Sequence, residues 1–331
     1  MSITYPLLLD GGLSNELERQ GCDLNQKLWS AKLLESNPEA IILAHLAYLE
    51  SGAECIITSS YQATLPGFMA IGYDEDSAKG LILKSVQLAE EARSCFLSLN
   101  PQASKPLIAA SIGPYGAYLA DGSEYRGDYI ISDQDLTDFH QPRINLLDDS
   151  TANLLACETI PGFQEAKVLS EILKNVKKPT WVSFSCKDGQ HISDGTPIEQ
   201  CAAHFADHPT IFAIGVNCTS PEFISELIRS IKTKSGNKKI IVYPNSGAVY
   251  HAESKTWSGL SDLSSCATMV KEWMDLGADI IGGCCGIGPE QITSMSKAMV
   301  ELFPKKILVA LDSFSELRQA AAPCVPYYDR S

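Results

Sequence analysis

Eight short apolar segments recur along this 331-residue chain, and each ends in a small or polar residue. Strands that are buried on both faces of a parallel sheet have this composition, and longer amphipathic segments typical of helices separate them. Eight such units predict an α/β fold, a (β/α)8 TIM barrel in a single domain. An open, doubly wound sheet is the alternative, because periodicity does not distinguish the two. The predicted strands are Tyr5–Asp10, Cys55–Ser60, Pro106–Gly113, Asn153–Thr159, Thr180–Cys186, Ile211–Cys218, Lys239–Asn245 and Asp279–Gly286.

The barrel is expected to span residues 1–304, because the eighth strand–helix unit is complete before Pro304. Residues 305–331 then form an appendage, and its Ala- and Pro-rich end is typical of a poorly packed terminus. A ninth strand at Ile307–Leu311 is the alternative interpretation of this segment.

Charge and composition narrow the range of partners. The chain has 40 acidic and 26 basic residues and a formal charge of −14, whereas a nucleic-acid-binding protein carries a basic patch. No segment has the roughly 18–20 consecutive apolar residues of a membrane-spanning helix, and the N-terminal residues lack the positive charge of a signal peptide. Eleven cysteines without a secretory signal are expected to be reduced thiols. We therefore predict a cytoplasmic protein that acts on small molecules, without nucleic-acid or membrane partners.

Cysteine at the ends of two predicted strands is the strongest chemical signal. Cys218 ends the sixth strand, and Cys284 and Cys285 end the eighth. Barrel strands all end at one rim, so three thiolates would meet there and leave one coordination position open, as catalytic Zn²⁺ requires. The alternative is that these are small core residues, since unpaired cysteine is often buried. A second candidate metal site, His204 and His208 at i and i+4, lacks a third ligand and is better explained as a solvated helix face.

Acidic and aromatic residues accumulate at the same predicted rim. Asp10 and Glu158 each lie at the end of a predicted strand. Carboxylates there could hold a substrate ammonium group or act as bases, whereas a turn or a cap is the structural alternative. The loop Gly113–Tyr129 adds four tyrosines, which with the acids could bind an onium cation or could pack over the barrel.

With these residues the chain resembles the zinc-dependent homocysteine S-methyltransferase family, over about Leu7–Phe303. The tyrosine-rich loop, Tyr243-Pro-Asn-Ser-Gly and Lys255-Thr-Trp resemble the branch that uses S-methylmethionine or S-adenosylmethionine. Thr159 stands where the betaine-using branch has tyrosine. The motifs that carry the resemblance are Asp10-Gly-Gly, Thr58-Ser-Ser-Tyr-Gln-Ala-Thr, Gly113-Pro-Tyr-Gly, Cys157-Glu-Thr-Ile-Pro, Gly215-Val-Asn-Cys and Gly282-Gly-Cys-Cys, of which the last two together are highly specific.

The resemblance implies a metal site and a reaction. Cys218, Cys284 and Cys285 would bind Zn²⁺ and form the catalytic set. The homocysteine thiolate held there would attack the methyl group of a sulfonium donor and give methionine, without an acid–base residue at the carbon. A zinc hydrolase on the same fold and a non-catalytic zinc or thiol sensor are the alternatives. The residues assigned to substrate binding are Asp10, Gly11, Tyr61, Tyr115 and Glu158.

Overall fold

The structure is a computed structural model, and it describes residues 3–24, 32–247, 249–251, 256–258 and 266–303. Its strands are β1 (Leu7–Leu8), β2 (Cys55–Ile57), β3 (Leu107–Ile112), β4 (Leu154–Ile160), β5 (Thr180–Phe184), β6 (Ile211–Asn217), β7 (Lys239–Tyr243), β8 (Val249–His251), β9 (Thr256–Ser258) and β10 (Ile280–Ile281). All except β8 and β9 pair in parallel, in the order β1, β10, β7, β6, β5, β4, β3, β2. A parallel bridge from Leu9 to Cys55 joins the two ends of that order. The sheet is therefore closed, and the predicted (β/α)8 barrel is confirmed.

Helices pack around the outside of the barrel, and local sequence explains where several of them begin. The helices are α1 (Leu13–Arg19), α2 (Leu33–Ser36), α3 (Pro38–Glu50), α4 (Leu65–Ala70), α5 (Glu75–Leu99), α6 (Tyr115–Leu119), α7 (Asp133–Asp148), α8 (Phe163–Leu173), α9 (Ile198–Phe205), α10 (Pro221–Lys234), α11 (Cys266–Leu276) and α12 (Pro289–Leu302), with a 3₁₀ turn at Ser123–Tyr125. The side chains of Asn37 and Asp74 accept main-chain N–H groups in the first turns of α3 and α5. Proline occupies the first position of α3 and α10, where its fixed φ suits a helix start.

Two layers of apolar side chains hold the barrel together. Leu7 and Leu9 belong to a cluster built from strand residues, which fills the interior, whereas Leu8 between them packs toward the helices. Trp181 is fully buried in that interior cluster beside alanines of neighbouring strands. Replacing such a side chain by alanine lowers the free energy of unfolding by about 3–5 kcal/mol. The large indole and its small neighbours therefore specify one packing arrangement.

The structure contains all eight predicted barrel strands, seven with shorter limits, whereas β4 keeps its length and lies one residue later than predicted. β1 and β10 have two residues each, and single main-chain hydrogen bonds, such as the one from the Leu9 N–H to the oxygen of Ile281, continue beyond them. The β8–β9 hairpin was not predicted. The appendage at 305–331, including the alternative ninth strand, lies outside the described residues, so the boundary at 304 stays a prediction. No helix in the described ranges is long and apolar enough to span a membrane.

The interpretation of the histidine pair as one solvated helix face is wrong for His208. Helix α9 ends at Phe205, so His208 lies beyond the helix that carries His204. His208 is buried, and its Nε2 pairs with the main-chain oxygen of Ser170 at 2.8 Å, whereas His204 is exposed. Early termination of the helix separates the two rings, and neither belongs to a metal-binding group in the part of the chain described.

Candidate active site at the carboxyl rim of the barrel

A cavity of about 720 Å³, including its open mouth, lies at the carboxyl ends of the strands. Seven of the eight residues predicted for the site line it: Asp10, Gly11, Tyr61, Glu158, Cys218, Cys284 and Cys285. The eighth, Tyr115, is not in the wall. Its ring packs edge-on against Phe139 at 5.1 Å and Tyr129 at 5.6 Å, measured between ring centroids.

Two glycines bring the end of β1 against the cysteine-bearing loop. A Cβ at Gly11 would lie 2.3 Å from the main-chain oxygen of Ile287, and one at Gly12 would lie 2.8 Å from that of Cys284. No side chain fits in that space. The close approach of the two backbone segments therefore requires glycine at both positions after Asp10. The N–H of Gly283 donates to the main-chain oxygen of Asp10 at 3.0 Å, which fixes the acid beside the thiols.

The three predicted cysteines converge. Cys218 follows β6, has a left-handed backbone (φ 46°), and donates its N–H to the oxygen of Tyr243. Cys284 and Cys285 follow β10, and all three sulfurs lie within 4.8 Å of one another. The Cys285 sulfur is 3.7 Å from that of Cys218 and 4.0 Å from that of Cys284. Two sulfurs on one tetrahedral zinc, with bonds of about 2.3 Å, lie about 3.8 Å apart, so the two separations that involve Cys285 match those of thiolates on this ion.

Two of these cysteines are bonded to each other in this structure. Cys218 and Cys284 form a disulfide, whereas Cys285 and the other described cysteines are not disulfide-bonded. The expectation that the cysteines are reduced thiols is therefore wrong for this pair, because convergence on one point also brings the sulfurs within bonding reach. A metal needs the thiolates, so the disulfide and a three-sulfur metal site exclude each other.

The pKa of Cys285 reflects the low polarity of this end of the cavity. Burial raises the pKa of its thiol to about 12, and the hydrogen bond from Tyr125 lowers it only in part. A cation beside the sulfur would reverse this balance, since it favours the thiolate.

Asp10 and Glu158 form an acidic region in the same cavity. The N–H of Ile57 donates to Asp10 Oδ2 at 2.8 Å, whereas Asp10 Oδ1 is buried without a hydrogen-bond partner among the described residues. Burial is the main reason that the pKa of Asp10 is well above its usual value, and the Glu158 charge adds to the effect. A substrate cation placed here would relieve both the unpaired oxygen and the repulsion.

Glu158 is held by hydroxyl groups from two other strands. Ser111 donates to its Oε1, and Tyr243 donates to its Oε2 at 3.1 Å. Tyr243 is itself fixed, because Trp181 Nε1 donates to its oxygen at 3.0 Å. Burial raises the pKa of Glu158 to about 7, and the two hydroxyl donors oppose that rise. Near neutral pH, a charge that enters the cavity therefore changes the protonation state of this carboxyl group.

Asn217 is a functional candidate that the sequence analysis missed. It is fully buried directly before Cys218, and its Oδ1 accepts from the N–H of Thr159 at 2.7 Å and from Ser183 Oγ at 2.8 Å. Its Nδ2 donates to Thr159 Oγ1 at 2.7 Å and lies 4.0 Å from the sulfur of Cys284. Thr159 has a left-handed backbone with φ 60°, so this amide holds a strained turn beside Glu158. The only sequence signal was its place in the Gly215-Val-Asn-Cys motif.

A buried polar network holds the tyrosine-rich loop on the rim. Glu165 of α8 accepts from the N–H of Tyr115 at 2.7 Å and from the Tyr129 hydroxyl, and its Oε1 is 2.6 Å from His140 Nε2. Arg143 of α7 donates to the main-chain oxygen of Gly113 at 2.6 Å. Tyr115 therefore belongs to the support of the loop, and Tyr125 is the loop tyrosine that reaches the cavity wall.

Fold and site together define a barrel enzyme with three converging cysteines beside a pair of buried acids. The chain belongs to the homocysteine S-methyltransferase family, whose model, described as "Homocysteine S-methyltransferase", matches residues 7–299. It is accordingly a methyltransferase that acts on homocysteine.

Relatives that are named as homocysteine S-methyltransferases align with this chain over almost their whole length. The chain is 51% identical to homocysteine S-methyltransferase YbgG of Bacillus subtilis, over 88% of this chain and 94% of that protein. It is 47% identical to homocysteine S-methyltransferase of Escherichia coli, over 87% and 94% of the two chains. The crystal structure of homocysteine methyltransferase MmuM from Escherichia coli in its metallated form superposes with a TM-score of 0.79 at 44% identity, over 88% of this chain and 95% of that one. An oxidised form of the same protein superposes equally well.

Proposed function

We propose that this chain transfers a methyl group from S-methylmethionine to homocysteine, with zinc held by Cys218, Cys284 and Cys285. The observation that carries the proposal is the sulfur geometry, in which the Cys285 sulfur lies 3.7 and 4.0 Å from the other two. The names of the Escherichia coli and Bacillus subtilis relatives support homocysteine as the acceptor. A sulfonium donor suits a cavity with acids and tyrosines in its wall.

The three thiolates would hold the ion with one position open for the acceptor sulfur. A free homocysteine thiol has a pKa near that of cysteine, about 8.5, and is mostly protonated at pH 7. Zinc bound to the three cysteines would supply the charge that keeps the acceptor sulfur deprotonated and nucleophilic.

Asp10 and Glu158 would hold the ammonium group of homocysteine. Asp10 offers Oδ1, which has no partner among the described residues, and Glu158 is oriented by Ser111 and Tyr243. Because Asp10 and the cysteine loop are in backbone contact through Gly283, fixing the ammonium also places the sulfur near the thiol group. Alignment of the acceptor sulfur with the donor methyl supplies much of the rate enhancement in such a displacement.

The transfer requires no proton movement at carbon. The acceptor thiolate forms the new carbon–sulfur bond while the bond from the methyl group to the donor sulfonium breaks, and its electron pair stays on the departing sulfur. S-Methylmethionine and homocysteine thus become two molecules of methionine, and the proton that the homocysteine thiol loses on becoming a thiolate is released to solvent. The residues of the cavity bind and orient the two sulfurs, and none of them needs to act as a base at the methyl group.

The test is a methyl-transfer assay on reduced, zinc-loaded protein with homocysteine and a panel of donors. We expect methionine formation from S-methylmethionine, slower use of S-adenosylmethionine, and loss of activity with a chelator. Turnover that survives complete metal removal would contradict the zinc role. Hydrolysis without transfer to homocysteine would favour a zinc hydrolase, and metal binding without any turnover would favour a sensor.

A further inference from the structure

Glu124 is a buried acid near the cavity that the reaction described above does not use. It lies in the 3₁₀ turn Ser123–Tyr125 of the tyrosine-rich loop and is 2% exposed. Its Oε2 is buried and has no hydrogen-bond partner among the described residues. Burial raises the pKa of this carboxyl group to about 7. An unpaired buried carboxylate is costly, so near neutral pH this group becomes fully ionised only when a cation comes near it.

The neighbouring basic residue supplies that charge only in part, because burial raises the pKa of Glu124 more than Arg126 lowers it. Arg126 is 48% exposed, and its guanidinium pairs with Asp128 at 3.1 Å and with Asp121 at 3.8 Å. The turn is anchored from the other side, because Ser185 Oγ donates to the main-chain oxygen of Glu124 at 2.8 Å. Glu124 is thus held in place without an ion pair in the described part of the chain.

The negative charge of Glu124 acts on the wall of the cavity at its thiol end. It raises the pKa values of Tyr61 and Tyr125, in addition to the larger effect of burial. Both tyrosines line the cavity, whereas Glu124 is not itself in the wall. Tyr125 is the next residue in the chain and hydrogen-bonds to Cys285. Glu124 therefore lies in the turn that carries Tyr125 into the cavity wall, next to the tyrosine side of the cavity.

We propose that Glu124, together with the rings of Tyr61 and Tyr125, forms the subsite for the sulfonium charge of the methyl donor. This inference rests on the proposed function, because it takes a sulfonium compound to be the donor. Aromatic rings backed by an anion attract a cation that is too weakly hydrated and too crowded to form hydrogen bonds. The ammonium of homocysteine is assigned to Asp10 and Glu158, so each substrate has its own anionic region.

This assignment has a kinetic consequence. The donor sulfur is cationic before transfer and a neutral thioether afterwards, so the attraction exists in the substrate complex and vanishes in the product. Such an interaction lowers the donor KM and distinguishes the donor from methionine, but it does not raise kcat. Glu124 is accordingly a specificity-determining residue that acts through the tyrosine wall.

The experiment compares a cationic donor with its neutral isostere in wild type and in Glu124→Gln. Homoleucine has the shape and the amino-acid end of S-methylmethionine, with a neutral CH group in place of the sulfonium. The donor KM, the inhibition constant of homoleucine against the donor, the homocysteine KM and the zinc content are measured on reduced full-length protein. Asp128→Asn is the matched control, because it removes an exposed charge from the same loop.

We expect Glu124→Gln to raise the donor KM at least about tenfold, which corresponds to a loss of about 1.4 kcal/mol. The homoleucine inhibition constant, the homocysteine KM, kcat and zinc content should stay within about twofold of wild type, and Asp128→Asn should change none of them. Because homoleucine retains the ammonium group, a parallel rise in the donor KM and the homoleucine constant would show a role in shape or ammonium binding and overturn the inference.

A measurement on wild type alone gives a second test that does not depend on the variant folding. Homoleucine should bind at least about tenfold more weakly than S-methylmethionine, as expected for a site that selects charge. Turnover with equal binding of the two compounds would overturn the inference and leave the proposed function intact. No turnover with any sulfonium donor would overturn the proposed function and this inference together.

Discussion

Glu158→Gln is expected to make the free protein more stable and the enzyme less effective, and both changes follow from one buried carboxyl group. Burial raises the pKa of Glu158 from its usual value near 4.5 to about 7. Between these values the unfolded chain releases a proton that the folded chain retains, so the free energy of unfolding falls as pH rises. At about 1.4 kcal/mol per pKa unit, the loss amounts to about 3 kcal/mol, and it is complete above pH 7.

The glutamine variant lacks this penalty. Its amide has nearly the shape of the protonated carboxyl group, and the Ser111 hydroxyl that donates to Glu158 can turn to accept from it. Urea denaturation without substrate should show the variant more stable than wild type by up to about 3 kcal/mol at pH 8, with little difference at pH 5. Glu171→Gln is the matched control, because the Glu171 side chain is 70% exposed, and it should show no such pH-dependent gain.

Substrate binding should change in the opposite direction. A hydrogen bond to a charged group contributes about 1.5–3 kcal/mol, so the homocysteine KM of Glu158→Gln should rise about ten- to hundredfold at pH 8 while zinc stays bound. Wild type should bind homocysteine better as pH rises through about 7, because the carboxylate then forms. A variant that is less stable than wild type at pH 8, or that binds homocysteine normally, would refute the reasoning.

Three further predictions concern the metal, its support and the end of the chain. Cys284→Ala should lose both zinc, measured by metal analysis, and turnover, and full zinc content in this variant would exclude the assignment. Asn217→Ala should destabilise the protein by about 1–3 kcal/mol through buried groups left unpaired and should lower kcat, whereas unchanged urea denaturation and kinetics would remove it from the site. A chain ending at Lys306 should keep its activity and melting temperature, and a drop of many degrees or a new oligomeric state would show that residues 307–331 belong to the fold.

The barrel was predictable because its strands are buried on both faces. That burial leaves nearly continuous apolar runs such as Leu154–Ile160, all of which is buried in the structure. The ends of such runs are less certain, because regular strand pairing gives way at the rim to single main-chain hydrogen bonds, such as the one from the Gly282 N–H to the oxygen of Val242. The end of α9 was missed for another reason. No glycine or proline marks Phe205, and the burial of His208 depends on Ser170, which is distant in sequence.

The thiols and acids of the site were predictable because each lies at the end of a strand, and parallel strands deliver their ends to one rim. The residues that support them were not. Asn217 and Tyr243 stand in sequence motifs that give them no role, Ser111 is an ordinary strand residue, and the roles of all three depend on hydrogen bonds between strands. The assignment of Tyr115 shows the same limit: composition identified a tyrosine-rich loop, but only packing determines that Tyr125 faces the cavity.

In the proposed function, the cavity binds the substrate ammonium at one end and activates the substrate sulfur at the other. This separation explains why the cavity tolerates buried acids of raised pKa. Attack of a thiolate on a sulfonium methyl group needs no proton transfer, so no acid in the cavity has to remain in one protonation state for the chemistry. Asp10 and Glu158 are free to ionise when the substrate ammonium arrives, and their unfavourable burial in the empty cavity becomes a reason to bind that cation. The thiol end has the opposite requirement, since burial raises the pKa of the Cys285 thiol and a cation would favour its thiolate. In the proposed function, one end of the cavity would therefore bind the substrate by its charge, and the other end would make the substrate sulfur reactive.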